Sequence, residues 1–231
     1  MAAESRTEPG LRDRFRAQVR QEVKTAALRQ LAEGGPEALS LNAIAKQVGM
    51  TGPALYRYFT NRDSLLTELV IDAYGDLASA LSRGAGTGAT DPVARLTAVV
   101  QAYRAWALTE PHRYRLLFRA PLQGYDAQST SLVEASQPAM EVVLEVVGAL
   151  AKPGTAVPEG PAAQFRDWMK HHGIKNVPEA VAARTTMLWA HLHGLVGLEI
   201  EGNFTSMGID PASLYEAEVR DFVRSLSTTR D

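Results

Sequence analysis

The 231-residue chain contains no cysteine. That excludes a disulfide framework and any cysteine-ligated metal, and it fits a reducing cytoplasm. Membrane-length apolar runs are also missing. The longest, such as Val142 to Ala151, contain a glutamate and fall well short of the about 20 residues a helix needs to span a bilayer. The charged and polar N-terminus does not read as a signal peptide. No segment alternates apolar and polar residues with period two over a useful length, so no sheet is expected and the fold class reads as all-α.

Catalytic signatures are equally scarce. No H-E-x-x-H, P-loop or G-x-S-x-G occurs. His191 and His193 stand two apart, about 200° around a helix, and cannot share one metal. His171 and His172 are adjacent and no better placed, so no metal and no cofactor are expected. Gly84-Ala85-Gly86-Thr87-Gly88-Ala89 matches a dinucleotide fingerprint in letters alone. A helix rather than a strand precedes it, so it reads as a flexible loop.

The formal net charge is only −2, but it divides unevenly. Residues 1–63 hold ten Lys/Arg against seven Asp/Glu, and the remainder 14 against 19. A basic head on an acidic body draws phosphate to the head alone.

That head contains Ser40-Leu41-Asn42-Ala43-Ile44-Ala45-Lys46-Gln47-Val48-Gly49, then Met50-Thr51-Gly52-Pro53-Ala54-Leu55-Tyr56-Arg57-Tyr58-Phe59. Leu41, Ile44, Ala45 and Val48 make one helical face, with Ser40 as its N-cap. Gly49 tolerates the positive φ that ends a helix and turns the chain. Thr51 or Gly52 restarts a helix, with Pro53 in the first turn where its missing donor costs nothing. Leu55 and Phe59 turn inward, leaving Gly52, Ala54, Tyr56, Arg57 and Tyr58 outward. This is helix-turn-helix geometry, whose second helix enters a DNA major groove.

The run Leu55-Tyr56-Arg57-Tyr58-Phe59, followed by Asn61-Arg62-Asp63-Ser64-Leu65-Leu66, resembles the N-terminal domain of the tetracycline-repressor (TetR) family of bacterial transcription regulators. The likeness is strong over residues 17–75. Tyr58 stands where the family usually has histidine, and Arg62 where it has a phosphate-holding lysine; both keep a donor. The resemblance implies a three-helix DNA-binding head with an N-terminal arm (residues 1–63) and a helical effector-binding, dimerising body (64–231). It implies a DNA-facing set of Ser40, Thr51, Gly52, Pro53, Ala54, Tyr56, Arg57, Tyr58 and Arg62. Of these, Tyr56, Tyr58 and Arg62, joined by Thr51, would hold phosphates, while Gly52, Pro53, Ala54 and Arg57 lie where bases are read.

Along the rest of the chain, residues 1–11 read as a mobile arm, and Arg12, Arg14, Arg16, Arg20 and Lys24 as a basic cluster able to reach phosphates or a minor groove. Val19, Val23, Ala27 and Leu31 stripe the first helix, which Gly34-Gly35-Pro36 stops. Asn61 or Asp63 caps a fourth helix striped by Leu66, Leu69, Val70, Ala73, Leu77 and Leu81, a lever from head to body. Asp91-Pro92 opens a fifth, Ser136-Gln137-Pro138 a later one, and 152–161 is a loop.

The spacing predicts an almost wholly apolar helix from Pro178 to about Asn203 and a last helix after Asp210-Pro211. Ala183, Ala190, Gly194 and Gly197 form its small face, and Tyr215, Val219 and Phe222 stripe the last helix. Pairing with a second copy would cover these faces, and the resemblance also places the homodimer interface there. Trp189-Ala190-His191-Leu192-His193-Gly194 resembles the Trp-x-x-x-His-Gly signature of one subgroup. Large residues from separate helices, namely Tyr103, Trp106, Tyr114, Phe118, Met140, Phe165, Trp168, Met187, Trp189 and His193, suggest a pocket for a small apolar effector. The expected protein is a cytoplasmic repressor that binds a palindromic operator in double-stranded DNA, does not bind membranes, and is released by a small hydrophobic molecule. The alternative is a helical enzyme, or a ligand-independent interaction module, with an unrecognised site.

Overall fold

The computed structural model describes residues 10–86, 88–119, 125–126, 129–152, 155, 162–175 and 177–226. Most of the expected N-terminal arm and of the 152–161 loop lies outside them. Among the described residues there are eleven α-helices and no β-strand. The chain divides into two units, Met1–Asp72 with Arg115–Leu132, and Ala73–Tyr114 with Val133–Asp231, and the divisions fall inside helices.

In the first unit, α1 (Leu11–Gly34) ends at Gly35. A 3₁₀ turn over Pro36–Ala38 leads to α2 (Leu41–Gln47), whose Ser40 cap accepts a hydrogen bond from the Ala43 N–H at 3.4 Å. Gly49 adopts φ +71°, and the Met50 N–H donates to the Ala45 carbonyl at 2.8 Å, so the turn satisfies a free helix-end carbonyl. Helix α3 spans only Gly52–Leu55; hydrogen bonds from Tyr58 and Phe59 N–H to the Leu55 carbonyl carry the coil one turn further. Helix α4 (Arg62–Ala85) opens on a reciprocal cap, since the Ser64 N–H donates to Asn61 Oδ1 at 2.7 Å and the Asn61 N–H to Ser64 Oγ at 3.2 Å. Val23, Ala26, Ala27 and Leu31 of α1, Ile44 and Ala45 of α2, then Leu55, Phe59, Leu65, Leu66 and Leu69 are buried as this unit's core. Val19, expected in the α1 stripe, is only half-buried.

In the second unit, α4 continues through Ala73, Leu77 and Leu81, all buried. Asp91 caps α5 (Pro92–Thr109), accepting from the Val93 and Ala94 N–H groups. Helix α6 spans Pro111–Phe118, α7 Thr130–Gly148, and α8 Ala162–His171. Helix α9 (Glu179–Ile200) packs against α5, α8, α10 (Asn203–Met207) and α11 (Pro211–Leu226), and α11 also packs against α5.

Three expectations about helix ends change. Pro138 lies inside α7 rather than opening it; there it lacks the N–H an interior helical residue supplies, and the Ser136 hydroxyl bonds the Val133 carbonyl at 2.7 Å in the same stretch. Helix α9 stops at Ile200 because Gly202 takes φ +75°, and α10 buries Phe204 as a separate short helix. Gly84 is helical, not loop. A Cβ there would stand 2.9 Å from Ala102 Cβ and 2.9 Å from the Ala98 carbonyl oxygen, so glycine lets α4 and α5 touch.

Candidate nucleic-acid interface and body cavities

The α2–turn–α3 segment presents one inward and one outward surface. Leu55 and Phe59 are buried, and a Cβ on Gly52 would come within 3.3 Å of Asn42 Oδ1, so α3 starts tight against α2. Outward lie Thr51, Pro53, Tyr56 and Arg57, exposed, with Gly52, Ala54 and Tyr58 half-exposed; Ser40 is exposed at the α2 cap. Arg57 has no ion-pair partner among the described residues. A guanidinium fork held in solvent on a short helix suits a guanine edge. The Tyr58 carbonyl accepts from Arg20 Nη1 at 2.9 Å, and the Arg16 guanidinium lies 5.9 Å from the centre of the Tyr58 ring.

Arg62 also makes a contact within the head. Its Nη2 donates to the Pro36 carbonyl and its Nε is buried without an acceptor. This guanidinium clasps the head's own 3₁₀ turn through one of its two amino groups.

The body's dimer-face residues separate into two groups. Ala183, Tyr215, Val219 and Phe222 are buried within the single chain. They are core, a correction to the expectation that a second copy covers them: α11 turns its stripe onto α5 and α9 of its own chain. Ala190 and Gly194 are exposed, as are Met187 and Leu198, and Gly197 is half-buried with its Cβ position 3.5 Å from Tyr114 Oη.

Of the expected effector residues, four form one cluster. The Tyr103 and Trp189 ring centres are 5.0 Å apart, and His193 stands edge-on to both at 5.6 and 4.8 Å. Tyr103 Oη hydrogen-bonds His193 Nδ1 at 2.7 Å, and Tyr114 Oη donates to the His193 carbonyl at 3.2 Å. Burial lowers the His193 pKa to about 4, so the imidazole is neutral at pH 7. Burial likewise raises that of Tyr103, which stays a phenol. Such a cluster is apolar with a few fixed hydrogen-bonding groups.

Trp168 instead packs against Phe165 and His172, with ring centres 6.4 and 5.2 Å away. Met140 is half-buried on α7, and Phe118 is half-buried at the end of α6, in the first unit. Met187 is exposed, which removes it from any enclosed pocket.

Trp106 is buried with its Nε1 unpaired, and it lines an open groove of about 720 Å³ between α4, α5 and the start of α6. Alanines Ala80, Ala98 and Ala102 share that groove with Arg83 and with Arg113, which pairs with Asp76. Apart from Trp106, these groove residues carry no motif, and sequence reasoning missed them. A second groove, about 480 Å³, lies where α7 meets the α8–α9 connection and includes Glu141, His172 and Lys175. Also missed was the contact among α5, α9 and α11. Arg104 grips Glu199 with Nε at 3.0 Å from Oε2 and Nη2 at 2.6 Å from Oε1, while Tyr215 donates to Glu199 Oε2 at 3.1 Å. Among the described residues no helix is long and apolar enough to cross a membrane.

The family model described as bacterial regulatory proteins, tetR family, matches residues 25–69. One described as tetracyclin repressor-like, C-terminal domain, matches residues 96–222. The HTH-type transcriptional regulator Rv1816 of Mycobacterium tuberculosis is 30% identical over 226 residues, which cover 94% of this chain and 96% of that protein. The crystal structure of SCO4313, a candidate regulatory protein, is 40% identical with a TM-score of 0.77, covering 92% of this chain and 98% of that one. FadR from Bacillus subtilis, solved in complex with stearoyl-CoA, shares the fold at 16% identity and a TM-score of 0.55, over 89% of this chain and 98% of that one.

Proposed function

The chain belongs to the tetracycline-repressor family of transcription regulators and carries its DNA-binding domain, and on that premise we propose that it is a cytoplasmic repressor. It binds a palindromic operator as a homodimer, with residues 1–63 reading DNA and residues 64–231 sensing a small, largely apolar molecule that releases it. The observation that carries this reading is the outward surface of α3, where Tyr56 and Arg57, both exposed and the arginine without an ion-pair partner among the described residues, flank a helix pinned from behind by Leu55 and Phe59.

In this reading Arg57 takes a guanine edge, with Gly52, Pro53 and Ala54 allowing close approach, and Thr51, Tyr56 and Tyr58 hold flanking phosphates. The two recognition helices of the dimer then sit about 34–36 Å apart, or a larger multiple of a helical turn. The exposed strip of α9, from Met187 through Ala190 and Gly194 to Leu198, supports the second copy's place: it is apolar, small-residued and uncovered within the chain. The cluster of Tyr103, Tyr114, Trp189 and His193 supports an apolar effector whose polar atoms are few. Helix α4 runs unbroken from Arg62 to Ala85 and is the covalent route by which that effector reaches the head. For a hundredfold shift in occupancy the effector must favour the DNA-free form by about 2.7 kcal/mol, within the ordinary range of allosteric coupling.

The test is selection of duplexes from a random pool by the full-length protein, followed by fluorescence anisotropy. Selected duplexes should share an inverted repeat, and Arg57→Ala should cost about 1–3 kcal/mol on them and relax one position of the preference. A pool that yields no common sequence, or an Arg57→Ala protein with unchanged affinity and preference, refutes the placement of α3 on base edges.

A further inference from the structure

The basic cluster on α1 is spent unevenly. Arg12, Arg16, Arg20 and Lys24 recur every four residues, the spacing that stacks side chains on one helix face. On α4 the positions facing them also advance by four. Lys24 Nζ pairs with Asp72 Oδ2 at 2.6 Å, and one turn earlier Arg20 pairs with Glu68. The next step of that register falls on Ser64, which has no charge, and its hydroxyl is occupied by the carbonyl and N–H of Asn61. The ion-pair ladder therefore ends one rung short. Arg16 and Arg12 are exposed, and among the described residues neither has an ion-pair partner, although Asp13 adjoins Arg12 and Asp63 adjoins Ser64. Arg16 nevertheless has a position: its guanidinium rests beside the Tyr58 ring, whose carbonyl Arg20 holds. Two arginines without an ion-pair partner among the described residues, their backbone positions about 6 Å apart along the helix axis, thus lie toward the edge of the recognition segment.

We propose that Arg12 and Arg16 form a phosphate clamp on DNA flanking the segment read by α3, continuous with Tyr58, whereas Arg20 and Lys24 serve only to fasten α1 to α4. The clamp rests on the reading that α3 faces DNA. Its chemistry is charge-assisted hydrogen bonding to phosphate oxygens, which adds affinity and salt dependence without sequence preference. The missing carboxylate at position 64 is what leaves Arg16 for phosphate; a carboxylate there would recruit it back to the protein.

The experiment measures anisotropy of the full-length protein on a pool-selected duplex and on a random-sequence duplex across a potassium chloride series. Each phosphate contact contributes about 0.9 to the slope of log affinity against log salt. Arg16→Ala, removing one contact from each protomer of a dimer, should lower the slope by about 1.8, and Arg12→Ala with Arg16→Ala by about 3.6, equally on both duplexes. Ser64→Asp keeps the reciprocal cap, since an acid suits that helix position. It should reproduce the Arg16→Ala slope and add nothing in an Arg16→Ala background. Unchanged slopes in the double variant overturn the clamp, and additive effects of Ser64→Asp and Arg16→Ala overturn the ladder explanation behind it. Arg57→Ala, run alongside, separates the two levels. If it loses discrimination between the duplexes while the arginine variants change nothing, the clamp alone fails; if the wild-type protein binds neither duplex, the DNA-facing reading of α3 fails.

Discussion

Replacing Arg104 with methionine keeps most of the side chain's apolar stem and removes its charge. What remains is Glu199, whose carboxylate side chain is 12% exposed and retains only the Tyr215 hydroxyl at 3.1 Å. In the intact protein Arg104, itself 19% exposed, meets that carboxylate through two nitrogens and lies 5.0 Å from the centre of the Tyr215 ring. Its hydrogen bond to Glu199 raises the Arg104 pKa further, against the opposing effect of burial. Breaking such a pair from one side strands a buried charge, which typically costs about 3–5 kcal/mol. For a chain of this size that corresponds to a melting temperature lower by roughly 6–20 °C.

Removing both charges, with Arg104→Met and Glu199→Leu together, should recover most of the loss, because two buried ions of similar volume are often replaced at little net cost. Lysine at 104 should recover little, since it cannot present the planar fork. Urea unfolding monitored by circular dichroism at fixed protein concentration, arranged as a double-mutant cycle, isolates the coupling. A cost below about 1 kcal/mol for Arg104→Met would place this pair among weak surface contacts and refute its role in tying α5, α9 and α11 together.

Lowering the pH should weaken the body through His193. Its pKa falls from 6.5 in water to about 4 in the fold, so the unfolded chain binds the extra proton first. Stability from this group is complete above pH 6.5 and is lost as pH falls towards 4, by up to about 3 kcal/mol; urea titrations at successive pH values should show His193→Asn flattening that slope. A Cβ at Gly194 would meet nothing within 4 Å in the single chain, and position 194 is exposed, so Gly194→Leu should leave monomer stability intact. It should, however, weaken the proposed dimer through an overpacked contact repeated on both copies, seen as a shift to monomer in analytical ultracentrifugation. Gly84→Ala should lower the thermal midpoint, because its methyl would press on Ala102 and on α5 backbone at 2.9 Å; an overpacking cost of about 1–3 kcal/mol exceeds the helix-propensity gain of about 1 kcal/mol.

Local chemistry was legible before any coordinates. Ser40, Asn61 and Asp91 cap their helices as hydroxyl, amide and carboxylate oxygens three residues or fewer from free N–H groups, and Gly49 takes the positive φ the turn requires. These interactions close within one helical turn, so residue type and spacing suffice to determine them. The same holds for the helical periodicity that placed α4, α5, α9 and α11, and for the short motif at Leu55–Phe59 that marks the head. Which buried face meets which neighbour is decided at long range. Tyr215, Val219 and Phe222 read as an apolar stripe whether a second copy or α5 covers them, and only packing within the chain assigned them to its core. Arg62 reads as a phosphate ligand in sequence, and only the fold shows that it also donates to the Pro36 carbonyl, 26 residues away. Arg104 and Glu199 find each other across 95 residues, and Tyr103 and His193 across 90. A charge or an aromatic ring has the same identity in sequence whether it is spent on the protein or left for a ligand; the tertiary structure decides, because it alone sets which opposite charge or ring lies within a few ångströms.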